Sequence, residues 1–456
     1  MIESYRDRIT QALKGHKADY LEVRLEEAER SHIQYRGREL EELGRSTSMG
    51  GSVRALVKGG WGFACFNELS GLREKVDMAT HQATLVGRET SDLARTEPVV
   101  DSVPAVLGKD PTAIPLSTKK ALMDEYNDIM WSVSGLQTST LGYGDSRRTV
   151  IFASSEGSYI EQSRVDCIMR LTAVARKDGD VQQASVSTGS LGDYSPMEKL
   201  HDEVRETAQR AVALLSAPHI QGGEYTVVLD PVLAGVFVHE AFGHLSESDF
   251  LYENQQMRDI MVLGRRFGGR HLNIVDGAAV PGLRGSYKYD DEGVPARKTY
   301  LIREGVLTGR LHSRETAGKM KEEPTGNARA ISYQFPPIVR MTNTLIEPGT
   351  ASFQDLVGDI QDGVYAKNWY GGTTSMEMFT FSAGEAYRIR NGRVAEMVRP
   401  VVLSGNVFAT LEHLDALAND LDMNQGGGCG KGNQFPLPVS NGSPHIRIQR
   451  CLVGGR

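Results

Sequence analysis

The sequence predicts an α+β protein in two parts. Residues 1–220 read as helices with antiparallel strands, and 221–456 as mainly β, a curved antiparallel sheet, sandwich or partly closed barrel that carries one short functional helix. Three observations predict this. A chain of 456 residues exceeds what one hydrophobic core usually organises. Near its start, apolar residues recur at helical spacing and then switch to strict alternation, as when a helix leads into a half-buried strand. From Gly285 onward, short apolar runs are broken by Glu-Gly and Asn-Gly turns, the pattern of successive hairpins.

In chain order, Ile2, Tyr5, Ile9 and Leu13 keep helical spacing, and Leu21, Val23 and Leu25 alternate with Glu22, Arg24 and Glu26. Further strands are expected at 31–36, 52–58 and 61–66, the last two joined by Gly59-Gly60, followed by a helix on Leu72, Val76, Ala79, Ala83 and Val86. Residues 97–115 carry Pro98, Pro104, Pro111 and Pro115 and read as a surface loop. Helix resumes after Ser117, Ser154-Ser-Glu-Gly157 turns a second hairpin, and a helix over 197–217 closes the first part. The order of helix, hairpins and helix occurs twice, which hints at an internal duplication without a shared residue pattern. Pro218 and Gln221-Gly-Gly223 mark the boundary. Beyond it, residues 225–229 form a strand running straight into a helix, 299–311 and 385–397 are hairpins turning at Glu304-Gly305 and Asn391-Gly392, and 411–421 is a short helix.

Composition narrows the function. The 40% hydrophobic and 24% charged residues are those of an ordinary globular protein. With 51 Lys plus Arg against 58 Asp plus Glu, the net charge of -7 disfavours a nucleic-acid surface. Four cysteines make no disulfide framework, which points to a reducing compartment where thiols stay free for metal. No run approaches the roughly 20 apolar residues of a membrane span. The start, Met1 to Ile9, has no apolar signal-peptide core. The expectation is a cytoplasmic protein.

The chemistry concentrates in Asp230-Pro-Val-Leu-Ala-Gly-Val-Phe-Val-His-Glu-Ala-Phe-Gly-His244. Asp230 can cap this helix and Pro231 suits its first turn. His239 and His244 are spaced His-Glu-x-x-x-His, one residue longer than the His-Glu-x-x-His that puts both imidazoles of a zinc peptidase on one helical face. On a regular helix i and i+5 lie roughly 140° apart, so the chain must distort, by a π-type bulge or by ending at Gly243, the expected relief point. The rival is a regular helix pairing Glu240 with His244, which makes the carboxylate a ligand.

A zinc site needs at least three protein ligands. The best third candidate is Cys429, in Gln425-Gly-Gly-Gly-Cys-Gly-Lys-Gly-Asn433, whose glycines let backbone approach a metal. This loop is no phosphate cradle, since a Walker loop needs Gly where Gln425 stands and Ser or Thr where Gly432 stands. Cys65, Cys167 and Cys451 sit in runs where a free buried Cys is ordinary. Lys431 is a candidate to keep the thiolate ionised, Glu247 and Asp249 to orient an imidazole, and Arg329 and Arg340 to meet a peptide carboxylate, or simply to form salt bridges. Ser286-Tyr-Lys-Tyr-Asp-Asp291 reads as a substrate contact or a charged surface turn. His219, His312 and His413 have no second ligand nearby and read as structural or exposed.

The helix His239-Glu-Ala-Phe-Gly-His244, the run Gly285-Ser-Tyr-Lys-Tyr-Asp-Asp-Glu-Gly293, then Thr325-Gly-Asn-Ala-Arg329, Cys429-Gly-Lys and the closing Val453-Gly-Gly455 resemble the catalytic TldD-like subunit of the TldD/PmbA metallopeptidase family. The resemblance implies zinc held by His239, His244 and Cys429 with Glu240 as base. It further implies unfolded or short peptide substrates and a dimer, either a homodimer or a heterodimer with a PmbA/TldE-like subunit; a sheet-rich domain could itself take an extended peptide as an added strand. Two alternatives stand beside it: a protease tailoring one ribosomally made peptide, and a non-catalytic zinc-containing modulator.

Overall fold

The computed structural model describes residues 2–455. Met1, with which the expected chain start opens, and the Ile2 side chain of the first helical pattern lie outside the described residues.

The first half builds one arrangement twice. Helix α1 (Ile2–Ala12) leads into β1 (Tyr20–Arg36), β2 (Glu39–Val57), β3 (Gly60–Phe66) and α2 (Leu72–Val86). After β4 (Val100–Val103), α3 (Leu116–Trp131) leads into β5 (Leu136–Ser154), β6 (Tyr159–Lys177), β7 (Asp180–Leu191) and α4 (His201–Leu214). The two units join through β1 and β5, antiparallel from Glu22↔Ser154 to Arg36↔Thr140, in one seven-stranded sheet. The hinted duplication is thus real in architecture. Each half-sheet buries its own helices, with Val23, Val53 and Val76 in one core cluster and Met123, Leu171 and Val204 in another.

The strands are longer than their alternation foretells. The sequence separates 20–26 from 31–36 because Glu27, Glu29 and Arg30 break the apolar pattern, yet β1 runs through them since β2 and β5 both pair with it there. The proline-rich stretch 97–115 is not a plain surface loop. It contains β4, parallel to Tyr159–Gln162, and a 3-10 turn at Pro111–Ala113 capped by Asp110.

In the second half, β8 (Gly223–Leu229) lies between Asp362–Ser375, parallel to it, and Ile446–Gly455, antiparallel. Strand Asp362–Ser375 also pairs with Met378–Arg390, which pairs with Val401–Asn406, which returns to Ile446–Gly455. These five strands close a circuit, the partly closed barrel. Both foreseen turns form, with positive φ at Glu304, Gly305, Asn391 and Gly392. The helix expected over 411–421 instead spans Val407–Glu412. Residues Leu414–Leu417 form a strand because Ile448 and Ile446 offer them a partner edge.

The segment around Ser286–Asp291 proves to be neither a surface turn nor part of the metal site. Ser286, Asp290 and Glu292 are buried. Asp291 faces Arg24 and Arg148 (3.6 Å each), Glu292 binds Arg54 (3.0 Å), and Lys288 and Tyr289 bind Asp101 (2.6 and 2.7 Å). It joins the N-terminal sheet to the second half.

Candidate metal centre

Helix α5 (Pro231–Val238) begins as expected: Asp230 accepts from Leu233 N at 2.8 Å and Pro231 occupies the first turn. Asp230 is itself buried, which pushes its carboxyl up to about 6. Past Val238 the backbone widens into a π turn over His239–Gly243, with His244 N donating to His239 O. This i→i+5 bond brings the two imidazole centroids to 5.3 Å. Gly243 is not where the helix ends: it keeps helical dihedrals (φ -59°, ψ -51°) and a 3-10 turn follows at His244–Ser246. It is glycine for space, since a Cβ there would meet Met341 Sδ at 2.0 Å.

Cys429 arrives on a two-stranded hairpin, Gly428–Lys431 paired with Gln434–Pro438, with Cys429 opposite Leu437. Its Sγ lies 3.6 Å from His244 Nε2. One ligand atom each from His239, His244 and Cys429 can be chosen so that all lie within 4.8 Å of one another. Tetrahedral zinc with bonds of about 2.0 Å to nitrogen and 2.3 Å to sulfur sets N and S about 3.5 Å apart, close to the separation of Cys429 and His244, so the donor set fits. His239 is 2% exposed and its Nδ1 has no hydrogen-bond partner, a buried polar atom that the protein leaves unsatisfied.

Charge supports the same reading. Burial alone would raise the Cys429 thiol and lower both imidazoles, but their mutual attraction wins. The thiol is held well below its usual range, His239 is raised, and His244, facing Glu247 first and the thiol second, lies well above the usual histidine value. A thiol and two imidazoles that favour one another's charged forms make a cluster in which a cation can replace protons.

The sequence reading placed Glu247 correctly. His244 donates from Nδ1 to Glu247 Oε2 at 3.0 Å, an orienting contact of the kind that steadies a metal-binding histidine. Despite burial, Lys431 and His244 hold Glu247 down to about 2. Lys431 does not serve the thiolate as expected. Its Nζ binds Asp249 (2.6 Å), Val339 O (3.0 Å) and Glu247 (3.0 Å), and Asp249 binds Lys431 and Val339 N instead of an imidazole. Glu240 is part-exposed, with Oε2 3.8 Å from His244 Nε2. Arg329 and Arg340 are buried away from the groove and bind carbonyls: Arg329 those of Met341 and Pro438, Arg340 that of Gln434. His312 is buried among Ser248, Thr316 and Glu322, as a structural histidine.

His239 and Glu240 open into a groove of about 730 Å³ whose floor includes Val232 and Val236 and whose walls include β7, Trp369, the segment 422–428 and Phe435. These walls escaped the sequence reading because nothing local connects Trp369 or β7 to the helix.

Among the described residues no helix is long and apolar enough to cross a membrane. Three family models match: PmbA/TldA metallopeptidase domain 1 over 21–83, its central domain over 109–215 and its C-terminal domain over 222–455. A metalloprotease of Synechocystis sp. is 50% identical over 441 residues, 96% of this chain and 95% of the relative. A zinc metalloprotease TldD homolog of Saccharolobus solfataricus is 30% identical, over 89% of this chain and 90% of its own. In fold, the chain resembles TldE from Thermococcus kodakarensis (TM-score 0.77, 17% identity, 100% of each chain). It likewise resembles a Thermotoga maritima protein described as a modulator of a DNA gyrase (TM-score 0.81, 18% identity, 100% of each chain). With matched models spanning nearly all of the sequence and a relative sharing half of its residues, this chain belongs to the PmbA/TldD metallopeptidase family.

Proposed function

We propose that the protein is a zinc-dependent peptidase of the cytoplasm that hydrolyses unfolded or short peptides, with His239, His244 and Cys429 as ligands and Glu240 as base. The observation that carries this reading is the convergence of two imidazoles with a thiol 185 residues from the second of them, beside an accessible carboxylate. Bound there with one position open, zinc would supply Lewis-acid polarisation of the scissile carbonyl and a water of lowered pKa. Glu240 faces the groove and can take the proton of the attacking water and hand it to the leaving amine. Glu247 is a poor substitute, being buried and locked between His244 and Lys431. Were Glu240 a ligand instead, the site would lack an evident base.

The non-catalytic reading is weaker. A structural zinc normally takes four protein ligands, whereas among the described residues this cluster has three members. The groove suits an extended peptide. Strand β7 and Asp422–Asn424 each have a single pairing neighbour, leaving edges to which a peptide strand can add. From Val232 to Glu240 the helix rises about 12 Å, room for three or four extended residues at about 3.3 Å each. Separate sheets on either side of Gln221-Gly-Gly223 support the division at 220/221. The TldE-like fold supports pairing with a similar subunit or with a second copy, which light scattering of the isolated chain, alone and with such a subunit, distinguishes.

The decisive test combines metal analysis with digestion of an unfolded protein. About one zinc per chain is expected, with cleavage lost on chelation and restored by zinc. A zinc-loaded chain, alone and with its partner subunit, that cleaves no peptide would overturn the reading.

A further inference from the structure

Behind the hairpin that carries Cys429 lies a second cavity of about 710 Å³, which shares no lining residue with the groove. Its wall from the hairpin is Pro436–Pro438, and the opposite wall comes from β1, β5 and β6.

The acids lining this cavity are committed. Arg148 binds Glu26 (2.7 Å), Arg284 binds Asp166 (2.8 Å), Lys119 binds Asp145 (2.5 Å), and Asp291 faces Arg24 and Arg148. Asp290 accepts the backbone N–H groups of Glu292, Val294 and Ala328, and burial beside Glu292 keeps its carboxyl well above the usual range. Half-exposed Arg30 reaches Glu26 only at 4.0 Å.

Two guanidiniums are left over. Arg329, 3% exposed, gives hydrogen bonds to carbonyls only. Arg164 uses only Nη2, toward Arg284 O at 2.8 Å, and its buried Nε has no partner. Among the described residues neither forms an ion pair. They lie 5.8 and 5.4 Å from the Tyr287 ring centroid. Burial, then the charge of Arg329, lowers Arg164 to about 10. Asp166 acts on Arg164, and Asp291 and Asp276 on Arg329, from beyond ion-pair distance; buried cations without a directly paired acid are unfavourable, and an anion delivered by a ligand offsets that. The rest of the lining includes Ile331, Phe335 and Leu437, apolar surface that a bare inorganic ion would leave uncovered.

We propose that this cavity binds an organic carboxylate, with the anion at Arg164 and Arg329 and its apolar body against Ile331, Phe335 and Leu437. The planar fork of an arginine suits a carboxylate, and a cavity of this volume suits a small organic ligand. The inference is independent of the peptidase reading, because none of its residues belongs to the metal cluster or the groove.

Calorimetric titration of the metal-loaded chain with N-acetylphenylalanine, its uncharged amide and inorganic phosphate tests it. The acid is expected to bind, the amide to bind at least tenfold more weakly, and Arg164→Met to weaken the acid at least tenfold. Ser146→Tyr, which fills the cavity from β5 and leaves every arginine in place, is expected to do the same and decides the matter if Arg164→Met does not fold. Equal binding of acid and amide would overturn the proposal. So would acid binding that survives both substitutions, which would locate the anion elsewhere, the metal included, and so would binding of phosphate alone.

Discussion

His244 presents Nε2 to Cys429 because Glu247 holds its other nitrogen, and Glu247 cannot swing away while Lys431 grips the same oxygen. Removing that charge with Glu247→Gln is expected to weaken metal binding by about 10- to 100-fold, measured by competition with a chelating dye. An unchanged affinity would mean that Glu247 serves Lys431 alone. Glu240→Gln makes the opposite prediction. Metal content should stay at the wild-type level while peptide hydrolysis falls by about 10²- to 10⁴-fold, and an active Gln variant would remove the base assignment. Cys429→Ser should lose bound zinc, because an ordinary serine hydroxyl replaces a thiol that His239 and His244 hold well below its usual range. At this scale the residue types were readable from sequence. Which carboxylate touched which nitrogen was not, since Lys431 sits two residues from Cys429 in sequence yet is turned toward acids near 248.

At the scale of elements, the π turn is what makes His-Glu-x-x-x-His workable, and it packs tightly. Gly243→Ala would drive a methyl into the buried Met341 side chain, an overpacking that costs about 1–3 kcal/mol. Thermal melts should show the loss together with weaker metal binding, and adding Met341→Ala should recover part of both. If Gly243→Ala alone left stability and metal binding untouched, the glycine would not be there for space. The need for a distortion between the two histidines followed from counting residues per turn, and the π turn lies there; the reason for a glycine at 243 did not. The sequence reading looked to Gly243 for backbone freedom, whereas the neighbour that demands a glycine is Met341, nearly a hundred residues on. Likewise Leu414–Leu417 looks helical locally and became a strand because an edge of Ile446–Gly455 stood open to it.

For the whole molecule, the contacts of 286–292 join the N-terminal sheet to the half that carries His239, His244 and Cys429. Burial would raise Asp291, yet Arg148 and Arg24 outweigh it and hold its carboxyl below the ordinary value. A group so depressed stabilises the fold above its unfolded pKa of about 3.9, and that contribution fades as pH falls through the lower folded value. Asp291→Asn is therefore expected to cost about 3–5 kcal/mol at neutral pH, with the gap to wild type shrinking in urea melts near pH 3. A gap of equal size at both pH values would sink the assignment. Periodicity, turn residues and the order of motifs were enough to specify an α+β chain, a capped helix bearing His239, Glu240 and His244, and Cys429 as its distant companion, because those features depend on neighbours in the chain or on the chemistry of single residues. The closure of five strands into a ring, the pairing that doubles the N-terminal unit, the roles of Lys431 and Arg329, and the two cavities on either side of the cysteine hairpin came only with folding. Each depends on surfaces far apart in sequence, and burial and unpaired charge act on a side chain through whatever packs against it.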